Sequence, residues 1–156
     1  MSVKNYLAFF LFFLYATETF SDSDLKYLSL KNNKVNVRIA PSRTAPIKWI
    51  YEKKNFPVII IDQYYNWRKI KDFENDSGWV HISQLSRKRS VLFIEDDVLI
   101  FKKPTTYSRP IYKIGKLEVA LIKECSLNWC NVKNNLFSGW VKKNSLWGLN
   151  KNEIMN

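Results

Sequence analysis

The chain has two cysteines, Cys125 and Cys130, which bracket Ser-Leu-Asn-Trp. Residues flanking a four-residue hairpin loop are cross-strand partners, with Cβ atoms about 4.5–5.5 Å apart, close enough for a disulfide after small adjustment. The expected chemistry is a structural bridge closing so small a ring that it adds about 2 kcal/mol in chain-entropy terms; two free thiols are the alternative. The spacing is not that of a redox C-x-x-C. A metal would need further ligands, and His81 is the single histidine, in a different sequence unit from the cysteines. Cysteine nucleophiles need a neighbouring base, and only the way the two units pack would bring His81 near. Glu95-Asp96-Asp97 reads as a solvated turn rather than a catalytic carboxylate pair. Neither G-x-x-x-x-G-K nor G-x-G-x-x-G occurs, and there are 4 glycines in all. The reading is of a non-enzymatic protein with no metal and no cofactor.

Binding chemistry has better candidates. Tyr51, Tyr64, Tyr65 and Trp67 fall at expected loop and strand ends, with Arg38, Arg68 and Lys69 nearby in sequence. Aromatic faces beside cations suit extended peptides that carry carboxylates or proline-rich segments. The competing reading is that some of these rings only close the end of a small core, and for Trp49 that reading is preferred. Net charge is +11, which favours anionic partners, including an anionic surface; Lys used simply for solubility is the bland account. Basic charge with aromatics also suits single-stranded nucleic acid, and a purely structural or assembly role is a third reading.

The elements that would position these residues repeat. VNVRIAP from Val35, PIKWI from Pro46, FPVIII from Phe56, NWRKI from Asn66, GWV from Gly78 and Leu85 form one series. VLIFKKP from Val98, PIYKI from Pro110, LEVALI from Leu117, NWCNV from Asn128, GWV from Gly139 and Leu146 follow in the same order, offset by 61–64 residues. Six matches in register indicate a duplication. Val35, Val37 and Ile39 alternate with Asn36 and Arg38, the period of a half-buried strand. Turn formers separate the runs, and no stretch carries a sustained helical period with caps. Five short strands in each unit imply a small closed or nearly closed barrel. In so small a barrel Trp79 and Trp140 are expected to be core residues. The joint is read at Ser86–Ser90, and the tail from Asn150 reads as frayed.

Asn36-Val37-Arg38 with Pro41, Trp67, Gly78-Trp79-Val80 and Leu85 resemble the bacterial SH3-like domain. The second unit keeps Pro104, Trp129, Gly139-Trp140-Val141 and Leu146 but has Leu99-Ile100-Phe101 in place of N-V-R. The resemblance implies an all-β fold of two tandem SH3-like barrels, at 28–86 and 91–148, in a protein that docks to cell-wall peptide, peptidoglycan or an envelope protein.

The amino terminus completes the reading. Lys4 precedes an unbroken apolar run, Tyr6 to Ala16, and a polar stretch follows. As a helix the run would span about 16 Å, against a hydrocarbon core of ~30 Å. Residues 1–21 are therefore expected to be a signal peptide cleaved after Ser21, with an uncleaved anchor or a buried strand as the alternatives, and the protein periplasmic or secreted. Export argues against nucleic acid as the partner.

Overall fold

The computed structural model describes residues 26–156, so the apolar run read as an export signal lies outside the described residues. Among the described residues no helix is long and apolar enough to cross a membrane.

The first unit contains β1 (Lys26–Leu30), β2 (Val35–Arg38), β3 (Ile47–Tyr51), β4 (Pro57–Tyr64), β5 (Trp67–Lys71), β6 (Ser77–His81) and β7 (Leu85–Ser86). The second contains β8 (Ser90–Phe93), β9 (Val98–Phe101), β10 (Pro110–Ile114), β11 (Val119–Cys125), β12 (Trp129–Lys133), β13 (Ser138–Lys142) and β14 (Leu146–Trp147). Each unit forms one 7-stranded sheet, ordered β3-β2-β6-β5-β4-β1-β7 and β10-β9-β13-β12-β11-β8-β14. The two orders are the same once renumbered, as the repeat requires. Seven strands per unit replace the five expected, because β1, β8 and the short closing strands β7 and β14 carry little alternation to read.

Alternation explains most of the core. Val35 and Val37 are fully buried while Asn36 is exposed, as a pleated strand with one wet face demands. Trp79 and Trp140 depart from expectation: both are only half-buried, while their neighbours Val80 and Val141 are fully buried. The pleat decides this. Glycine occupies the inward position before each tryptophan, since a Cβ on Gly78 would collide with Val37 Cγ1, and one on Gly139 would lie 2.6 Å from Ile100 Cγ2. With Gly and Val inside, the tryptophan between them must face out.

β8 does not alternate. Val91, Leu92 and Phe93 are all fully buried, the pattern of a strand covered on both faces. Val91 and Phe93 join the core of the second unit, whereas Leu92, with Val119 beside it on β11, joins Leu30, Val58 and Ile70 in the core of the first. Trp147 meets Tyr27 edge-on at 5.6 Å, and Gly148 sits where a Cβ would lie 3.0 Å from Pro57 Cβ. Ser29 Oγ donates to Lys88 O at 2.7 Å, and Lys53 Nζ to Leu117 O at 2.8 Å. The two units share apolar core across their joint.

Candidate functional site

The β4–β5 hairpin turns at Tyr65 and Asn66, with Tyr64 opposite Trp67. Tyr65 adopts φ 45° and is 84% exposed, and its ring meets that of Tyr64 edge-on at 4.8 Å. Arg68 holds the turn by donating from Nη1 to both Tyr65 O and Trp67 O at 2.8 Å. Trp67 lies opposite His81 on β6, their rings edge-on at 5.3 Å. His81 Nδ1 is 2.8 Å from Ser83 Oγ, at the start of the 3-10 turn Ile82–Gln84. Tyr64, Tyr65, Trp67 and His81 thus form one aromatic tip, and Ile82 N donates to Asn66 O at 2.8 Å to dock it on the turn.

The other two candidates belong elsewhere. Tyr51 stacks on Phe56 at 5.1 Å and donates from Oη to Asp72 Oδ2 at 2.7 Å. Burial, then the hydrogen bond to Asp72, pushes its phenol far above the ordinary range. It is a structural ring of the first core, joined there by Trp49 edge-on at 5.9 Å. Arg38 lies opposite Trp79 on the outer face, and its guanidinium donates to Ala45 O at 2.5 Å across the β2–β3 connection.

The second unit repeats the tip and elaborates it. Lys143 N donates to Asn128 O at 2.9 Å, the counterpart of the Ile82–Asn66 bond. Cys125 and Cys130 are cross-strand partners and are joined as a disulfide beneath the tip. Cys125 also exchanges two backbone hydrogen bonds with Met155, of 2.7 and 2.9 Å. The tail is therefore anchored, not frayed. Glu153 receives a bidentate ion pair from Arg89, and Asn150 N donates to its Oε2 at 2.9 Å. Burial raises the Glu153 carboxyl, but the Arg89 hydrogen bond, the Asn150 N–H and the charges of Arg89 and Lys143 outweigh it and hold it below the usual carboxylate range. Lys143 Nζ donates to Glu153 O at 2.6 Å, and burial lowers its pKa despite that neighbour's charge. Between the tip, the second unit's 3-10 turn Lys143–Ser145 and the tail lies an open cleft of about 600 Å³.

Residues 31–87 and residues 95–148 each match the bacterial SH3 domain family. The chain belongs to that family. No curated protein matches it. Among solved structures, NlpC2 from Trichomonas vaginalis is similar with TM-score 0.37 and 10% identity, over 81% of this chain and 49% of that one. NlpC1 from the same organism gives 0.36 and 10%, over 78% and 45%. The chain spans about half the length of these two neighbours.

The two SH3 domains differ at the position where N-V-R ends. Arg38 in the first domain is replaced by Phe101 in the second, and Phe101 packs edge-on against Trp129 at 5.5 Å. The first domain keeps a cation on its outer face, and the second gains a ring that fixes its tip tryptophan. The cleft was not legible as a site. Its lining comes from three separated segments, and its lysines look like solvated surface until the tail is folded back.

Proposed function

We propose that the protein is an exported, non-catalytic docking module whose first SH3 domain holds carboxylate-bearing peptides of the cell wall on its aromatic tip. The conformation of Tyr65 carries the reading. A β-carbon-bearing residue at φ 45° costs roughly 1 kcal/mol or more relative to glycine, and an 84% exposed ring recovers almost nothing by burial. An aromatic kept there against local stability suits a contact made outside the chain. Arg68, held at the turn, supplies a cation beside the rings, with Lys69 next to it in sequence, for an anionic ligand.

The test is retention of purified protein on isolated wall sacculi at physiological salt. Retention that falls at least fivefold in Tyr65→Ala and Trp67→Ala, with both variants folded by circular dichroism, supports the reading. No retention, or retention at low salt alone, removes the wall ligand and leaves an envelope protein as the partner. A log affinity falling steeply and linearly with log salt on single-stranded DNA would point to nucleic acid instead.

A further inference from the structure

The cleft of the second SH3 domain is chemically unlike the tip of the first. Leu127 and Trp129 from the hairpin tip, Leu146 from β14 and Leu149 from the tail give it apolar surface, and Lys142 and Lys151 give it charge. No carboxylate lines it among the described residues. The third lysine of the lining, Lys143, has its ammonium engaged by the carbonyls of Glu153 and Lys151, so Lys142 and Lys151, both exposed, are the cations left for a ligand. A volume near 600 Å³ is in the range of sites for small ligands rather than whole proteins.

The lining is also held in place before anything binds. Phe101 braces the Trp129 ring, the Cys125–Cys130 bridge closes the hairpin, and Met155 pairs with Cys125 to tie down the tail. Glu153, gripped by Arg89, fixes the stretch that presents Leu149 and Lys151. A preorganised site loses little free energy to ordering on binding.

We infer that this cleft is a second binding site, independent of the aromatic tip, for a short apolar peptide ending in a free carboxylate. Leucine-like side chains would lie against Trp129, Leu146 and Leu149, and the carboxylate between Lys142 and Lys151. Charge complementarity selects this occupant. Phosphate-rich chains would leave the exposed Leu127 and the half-buried Trp129 unmatched, and a neutral peptide would leave two lysines unmatched.

The experiment titrates the full chain, uniformly nitrogen-15 labelled, with acetyl-Ala-Leu-Leu as the free acid and as its C-terminal amide. The indole signal of Trp129, assigned with Trp129→Phe, is the readout. The expected result is a saturable shift at Trp129 with the acid and none at Trp67. Affinity should fall at least fivefold for the amide, and at least fivefold for the acid in Lys142→Gln/Lys151→Gln. Both lysines are exposed, so that variant keeps its fold, checked by its unshifted amide spectrum away from the cleft. Equal affinity for acid and amide overturns the inference. So does a shift confined to Trp67, or no shift at millimolar peptide. Because the wall-retention test depends on Tyr65 and Trp67, either reading can fail without the other.

Discussion

Tyr65 pays for its position at the level of a single dihedral angle. Asparagine tolerates positive φ better than a bulky aromatic does, so Tyr65→Asn should stabilise the protein by about 0.5–1 kcal/mol in urea unfolding while weakening sacculus retention. A destabilised Tyr65→Asn would mean that the ring packs to some purpose in the fold, and the functional reading of its strain would go. Gly148 is the opposite case. It has φ +115°, and a Cβ there would lie 2.7 Å from Ser90 O, so Gly148→Ala should cost about 1–3 kcal/mol by chemical denaturation. The repeated G-W-V shows why residue identity alone misleads. A large apolar side chain invites a core assignment, but side-chain direction alternates along a strand, and the glycine before each tryptophan already occupies the inward place.

Among the elements, strands with one wet face were legible in advance because their period is visible, and the Cys125–Cys130 pairing followed from hairpin geometry. β8 and the tail were not. β8 is a short apolar run buried on both faces, which periodicity does not distinguish from other buried segments. The tail is polar, and its order comes from partners distant in sequence: Arg89 lies 64 residues before Glu153. That latch should depend on pH in one direction. Glu153 has a folded pKa depressed below its ordinary 4.5, so its contribution is complete above that value and is lost as pH falls through the lower, folded pKa. Hydrogen exchange at the Met155 amide should therefore accelerate, beyond the intrinsic effect of pH, as acid is added below about pH 4.5. In Glu153→Gln the protection should already be reduced at neutral pH and lack this step. Protection unchanged by acid in the natural chain would show that the backbone bonds to Cys125 hold the tail without the ion pair.

At the scale of the whole molecule, the decisive contacts are those of Leu92 and Val119, which belong to the second domain by sequence and to the first domain's core by packing. Leu92 is fully buried, so Leu92→Ala should cost about 2–5 kcal/mol. It should lower the urea midpoint reported by Trp67 together with that reported by Trp129. Two separate transitions in the natural chain would show that the shared core does not couple the domains. The duplication was readable from order and spacing; this sharing was not, because a repeat specifies two similar units and is silent on how one completes the other. The same shared core holds the aromatic tip and the cleft at a fixed separation, with no flexible tether between them. On the two proposed sites, a short free peptide would occupy one at a time, whereas a polymer that presents suitable stems at the matching interval would engage both, its second attachment being intramolecular, with avidity gains that reach about 10²-fold or more when the geometry fits. The joint between the domains would then act as a ruler, favouring a lattice of the right repeat over the same chemical groups dispersed in solution.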